Sequence, residues 1–88
     1  MKFEFDPAKS AANKAKHGVD FVEAQAMWAG TAAIRRLPHL GEERLLRIGL
    51  VGDRLWAAVF TMRGGGIRLI SVRRARRGEE AEFGRQTE

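Results

Sequence analysis

The chain has 88 residues, enough for one domain around one modest core. It contains no cysteine, which excludes a disulfide scaffold and any thiolate zinc site. Sixteen Lys and Arg against eleven Asp and Glu leave a net charge of +5, so a polyanion or an acidic protein is the natural partner. No early apolar run resembles a secretion signal and none approaches spanning length, so a cytoplasmic protein without membrane contact is expected.

Phe3-Glu4-Phe5 alternates and reads as a brief strand or extended arm. Asp6-Pro7 opens a helix, with Asp capping the free N–H groups and Pro tolerated at the first helical position. Ala8, Ala11, Ala12 and Ala15 then recur at helical spacing, and His17-Gly18 ends a helix over about 7–17. Asp20 with Glu23 forms a capping-box pattern, flanked by Val19 and Ala24. Phe21, Ala24, Gln25 and Trp28 share a helical face, and Gly30 stops a second helix over about 20–29.

From residue 31 the period changes. A β-like segment begins at Ala33-Ile34 and ends near Pro38, and 45–51, 55–62 and 67–73 are rich in β-branched and aromatic residues. Gly52-Asp53 and Gly64-Gly65-Gly66 separate them as hairpin turns; the glycine run lacks the lysine and helix of a phosphate-binding loop. Trp28, Trp56 and Phe60 fall at core-like spacing and are assigned to packing. Residues 79–85 allow one or two helical turns, with a start weakened by Gly78. The expected architecture is α+β in a single domain, 1–88: two N-terminal helices on one face of an antiparallel sheet of about four strands, and a short C-terminal helix.

The charge is unevenly placed. All four lysines lie within the first sixteen residues, all twelve arginines follow, and 63–77 holds six arginines and no acid. Arginine carries a planar fork suited to phosphate, so this block points to nucleic acid or an acidic partner. Along 67–73, Ile70 and Val72 alternate with Ser71 and Arg73. If the apolar pair packs against the helices, Ser71 and Arg73 lie on the open sheet face, a platform for RNA. Arg68 falls on the side of Ile70 and Val72, which breaks the alternation near the strand start. Arg74 leaves the opposite face from Arg73 and, with Arg76 and Arg77, forms a rim.

Phe3-Glu4-Phe5-Asp6, Asn13, Lys16-His17-Gly18-Val19, Phe21 and Glu23-Ala24 together resemble the start of the BrnT toxin family. Gly41-Glu42-Glu43-Arg44, Ile48-Gly49, Thr61, Arg63 and the stretch 67–75 continue that likeness in the same order. The resemblance implies a ribonuclease toxin of a type II toxin–antitoxin system with a fold like that of the RelE toxins. It further implies a BrnA antitoxin as partner, with operator DNA reached only through that antitoxin. Three positions depart from the family pattern: Phe5 in place of Trp, Phe83 in place of Tyr, and Gly78 in place of a charged helix former.

RNA cleavage without a metal needs a base for the 2′-OH proton, cations for the phosphate, and an acid for the leaving oxygen. The nucleophile belongs to the substrate, so no nucleophilic side chain is required. Histidine is the side chain that titrates near neutrality, which nominates His17; the alternative is a helix C-terminal histidine without chemistry. Lys16 beside it can hold phosphate. Arg73 is the candidate transition-state donor, and Glu43 and Glu79 are candidates for base or arginine orienter, with ordinary salt bridging as the alternative. RNA contacts are expected from Phe5, Arg44, Arg63, Arg68, Ser71, Arg74, Arg76 and Arg77. His17 and His39 make no metal site at a recognisable spacing, and no cofactor is expected. A second reading keeps the basic face and drops the chemistry: a binding module acting as antitoxin partner and co-repressor.

Overall fold

The computed structural model describes residues 1–87. In chain order the elements are β1 (Phe3–Glu4), α1 (Pro7–His17), a 3-10 helix (Glu23–Trp28), β2 (Ala32–Leu37), β3 (Arg44–Val51), β4 (Arg54–Arg63), β5 (Gly66–Arg74) and α2 (Arg77–Gln86). The strands form one five-stranded sheet in the order β1-β5-β4-β3-β2. β2 to β5 run antiparallel to their neighbours, while β1 lies parallel to β5, with Phe3 opposite Ile67.

This corrects the expected architecture in three respects. The sheet is mixed and five-stranded, because the N-terminal arm pairs with β5; the Ile67 N–H donates to the Lys2 carbonyl at 2.8 Å. There is one N-terminal α-helix, not two. The expected capping box is present, Asp20 and Glu23 exchanging bonds of 3.0 and 2.7 Å, but a 3-10 helix follows it. Phe21, Ala24 and Met27 are the residues buried there, at a spacing of three that repeats once per 3-10 turn and drifts on an α-helix. Finally, the helices are not confined to one face.

Strand alternation sets two apolar layers. Trp56, Ala58, Phe60, Leu69 and Val72 point to the side of the 3-10 helix and meet Phe21, Ala24 and Met27. Trp28 packs edge-to-face on Phe60 at 5.2 Å and on Phe3 at 5.3 Å, as expected of core aromatics. Arg47 caps this layer: its Nε donates to the Met27 carbonyl at 3.1 Å and its guanidinium lies 5.0 Å over the Trp28 ring. Burial pushes the Arg47 pKa down from its ordinary value. On the other face Ala33, Leu46, Ile48 and Ala57 form a smaller layer, closed by Phe83 of α2. α2 therefore forms despite Gly78, held by packing that propensity alone does not supply.

The hairpins follow the turn residues. Arg63 pairs with Gly66, and the intervening Gly64 and Gly65 have φ of 58° and 80°, the two positive angles that a type I′ turn demands. No described helix is long and apolar enough to cross a membrane.

Candidate nucleic-acid interface

The arginines of β5 owe their placement to one irregularity. Val59 pairs with Ser71 and Phe60 with Leu69, so Ile70 has no partner across the ladder. This β-bulge shifts the parity of the strand by one residue. Arg68, Ser71 and Arg73 consequently share the face that bears α2, while Ile67, Leu69, Val72 and Arg74 point to the face of the 3-10 helix. The broken alternation around Arg68 in the sequence is this bulge. Without it, Arg68 and Arg73 would leave opposite sides of the sheet.

The face carrying Arg73 is not open along its length, as the alternation alone implies, because α2 covers the part nearest Ala33, Ile48 and Ala57. Arg73 Nη1 and Nη2 donate to Glu79 Oε1 and Oε2, each at 2.8 Å, a two-point pair. Arg35 Nη2 lies 3.5 Å from Glu79 Oε2, and its Nε is 3.2 Å from Glu82 Oε1. The Arg76 N–H donates to Glu79 Oε1 at 2.8 Å as α2 begins. Glu79 is 4% exposed. The Arg73 hydrogen bonds hold its pKa at about 2 against the opposing pull of burial, with the Arg76 N–H adding in the same direction. The same pair raises the Arg73 pKa.

Beyond α2, at the far end of that face, lie Arg44, Arg63 and Arg68. Arg63 Nη2 is 3.3 Å from Glu42 Oε2, and Arg68 Nη1 is 3.4 Å from Glu4 Oε1. Arg44 Nε is buried without a hydrogen-bond partner among the described residues, the nearest carboxylate oxygen being Glu42 Oε1 at 3.9 Å. Glu43 belongs to this end: its carbonyl accepts from Thr61 Oγ1 at 2.5 Å and its carboxylate pairs with Arg36 at 3.0 Å. Thr61 is four residues along β4 from Ala57, the partner of Arg73, which puts Glu43 roughly 13 Å along the strand from the Arg73–Glu79 pair.

A third feature lies at the outer edge of β5, where β1 has ended. Asn13 of α1 takes the place of a neighbouring strand: its Oδ1 accepts from the Val72 N–H at 3.1 Å, and its Nδ2 donates to the Val72 carbonyl at 2.8 Å. The same Nδ2 donates to the Val19 carbonyl at 2.8 Å, fixing the turn after the helix. Between α1 and this edge is an open groove of about 230 Å³, lined by Lys9, Ala12, Asn13, Lys16, His17, Phe21, Ile70 and Ser71. His17 is half-buried there, at the end of α1. Ser71 belongs both to this groove and to the face of Arg68 and Arg73.

The structure thus brings together Lys16, His17 and Ser71 in one place and Arg73 with Glu79 in another, joined through β5. It does not bring Glu43 to either. Phe5 packs edge-to-face on Phe21 at 5.6 Å, so its ring is committed to the core. Arg74 lies 5.5 Å over the Trp56 ring on the opposite face, while Arg76 and Arg77 are exposed at the start of α2. Sequence reasoning missed Arg35, although Ala33, Arg35 and Leu37 alternate as a strand face. It also missed the groove role of Lys9 and the edge role of Asn13, neither of which any local pattern marks. Among the described residues no group of three or more His, Cys, Asp and Glu is placed to hold a metal.

Among curated proteins none matches the chain. One family model matches residues 5–79, described as "Ribonuclease toxin, BrnT, of type II toxin-antitoxin system". The matched stretch runs from the N-terminal arm through β5 into the first turn of α2, and so includes Lys16, His17, Ser71, Arg73 and Glu79. With β2 to β5 and the basic face inside the match, the chain belongs to the BrnT family of ribonuclease toxins of type II toxin–antitoxin systems, a family that works with an antitoxin partner.

Proposed function

We propose that the protein is a metal-independent endoribonuclease of the cytoplasm that cleaves RNA, arrests translation and growth, and is neutralised by a BrnA-type antitoxin. Operator DNA is reached only through that antitoxin. The observation that carries this reading is the two-point hold of Glu79 on Arg73, on the face shared with Ser71, whose other side opens on His17.

The chemistry follows from the placement. A 2′-OH of RNA attacks the adjacent phosphorus as a base takes its proton; the 5′-oxygen leaves and is protonated, giving a 2′,3′-cyclic phosphate and a 5′-OH end. His17 serves the proton transfers, and Lys16 beside it attracts the phosphate. Arg73 stabilises the charge that builds on the phosphoryl oxygens. Glu79 is not the base: a carboxylate held near pKa 2 binds protons too weakly near neutrality. It is the positioning residue that fixes the Arg73 fork. Arg44, Arg63 and Arg68 extend the track for the RNA backbone along the sheet, with Arg76 and Arg77 at its rim. Glu43 pairs with Arg36, which leaves the sheet on the face opposite the track.

The test is incubation of the purified protein with RNA in excess EDTA, followed by end-group analysis. Cleavage to cyclic phosphate ends is expected. RNA left intact at protein amounts that stop growth in cells overturns the reading. Toxicity that survives His17→Ala and Arg73→Ala together points to a binding module without chemistry.

A further inference from the structure

The groove beside β5 has a composition that the phosphate chemistry does not explain. A site for phosphate alone needs cations and N–H donors. This one is lined by apolar Ala12, Phe21 and Ile70 as well as by Lys9, Lys16, His17 and Ser71. Its volume of about 230 Å³ lies below the ~300–1,000 Å³ of pockets that enclose a whole drug-sized ligand. A single flat ring is of that size.

Three features keep this depression from collapsing. Asn13 spans from Val72 to Val19 and holds α1 at a fixed distance from the strand edge. The Phe21 N–H donates to Ser10 Oγ at 2.9 Å, which ties the far wall to the same helix. The bulge at Ile70 leaves that residue without a strand partner beside the groove. Ser71 then connects the groove to the face that carries Arg68 and Arg73.

We propose that the groove is a single-base subsite, receiving one unstacked RNA base next to the phosphate that Arg73 holds. The base lies on Ile70 and Ala12, and Lys9 and Lys16 flank it to meet the adjoining phosphates. Bases are recognised in this way only when splayed out of a helix, so single-stranded RNA is the substrate class. The subsite rests on the ribonuclease reading above for its neighbour, but its occupancy can be measured without cleavage.

Ala12 is exposed on α1, so Ala12→Trp fills the groove without touching the core, and Ala11→Trp places the same bulk about a quarter-turn round the helix, at an exposed residue that does not line the groove. With a short single-stranded RNA, Ala12→Trp is expected to raise KM roughly tenfold or more, the scale of one lost base contact, while Ala11→Trp cleaves as the parent does. In a second measurement AMP, GMP, CMP and UMP are titrated separately into the parent protein, and methyl and backbone amide resonances are followed by NMR. Shifts at Ala12 and Ile70 are expected, and the one at Ile70 vanishes in Ala12→Trp. Unchanged KM in Ala12→Trp, or nucleotide shifts confined to Arg63 and Arg68, overturns the subsite while leaving ribonuclease activity standing. An RNA left uncut by the parent, with nucleotide shifts still at Ile70, supports the subsite and removes the ribonuclease reading.

Discussion

Arg73 and Glu79 close a two-point ion pair across the junction of β5 and α2, with both nitrogen–oxygen distances at 2.8 Å. The pair ties the last strand to the C-terminal helix and gives one side of the guanidinium a fixed orientation. The acid is 5% exposed in its side chain and the base 26%, so water screens the contact only on the arginine side.

The first consequence concerns acid stability. Glu79 has a folded pKa of about 2 against an ordinary 4.5, the Arg73 hydrogen bonds being the main cause. A depressed carboxylate contributes stability that is fully present above the unfolded value and is lost as pH falls through the folded one. Stability is therefore expected to drop between about pH 4.5 and pH 2, by at most about 3 kcal/mol from this group. Glu79→Gln should flatten that part of the profile. Denaturant midpoints measured at pH 7, 4 and 2.5 check it; parallel profiles for parent and variant would count against the assignment.

Removing the acid at neutral pH takes the acceptor from the Arg76 N–H and leaves Arg73 only its 3.3 Å bond to the Arg74 carbonyl. Glu79→Ala is expected to cost about 2 kcal/mol, and thermal unfolding should fall by about 10 °C for a domain of this size. A shift under 2 °C would show the pair to be incidental.

In catalysis the two residues should separate. Arg73→Ala is expected to lower kcat by roughly a hundred- to a thousandfold, as loss of one transition-state donor does. Arg73→Lys keeps the charge but cannot make the fork, and should recover only a small part. Glu79→Gln, which still accepts hydrogen bonds, should fall between parent and Arg73→Ala. An Arg73→Ala loss of only a few-fold would reduce Arg73 to general electrostatic attraction.

Asn13 makes a different demand. Its side chain satisfies three backbone groups at the edge of β5 and the end of α1. Asn13→Ala leaves all three unpaired beside the core, so a loss of about 2–4 kcal/mol is expected in urea unfolding. Asn13→Asp keeps the acceptor but abolishes both donations, and should fare no better.

Gly66 bears on the N-terminal strand. A Cβ placed on it would lie 2.8 Å from the Lys2 carbonyl oxygen, the group that accepts from Ile67. Gly66→Ala must push β1 away. Faster hydrogen exchange at the Ile67 amide and earlier proteolysis at the N-terminal arm are expected, with α1 and β2 to β4 unaffected.

Much of this protein could be read locally. The Asp6-Pro7 helix start, the Asp20–Glu23 capping box, the glycine turns and the core aromatics all appear where the residues announce them, because caps, turns and periodicity act over a few positions. The arginine block and the BrnT likeness were equally plain. What the chain could not show without its tertiary structure was every feature that depends on a distant partner. β1 exists only because β5, more than sixty residues on, offers it an edge. The segment after Val19 winds as a 3-10 helix because Phe21, Ala24 and Met27 must all reach one layer of the sheet. The bulge at Ile70, visible in sequence only as a flaw in alternation, puts Arg68 and Arg73 on one face because pairing with β4 skips a residue. The fate of Arg73 itself was decided last: alternation aimed it away from the N-terminal helix, but only the packing of Phe83 brings Glu79 over it. Local sequence sets which backbone shapes are cheap; long-range packing decides which side chains meet.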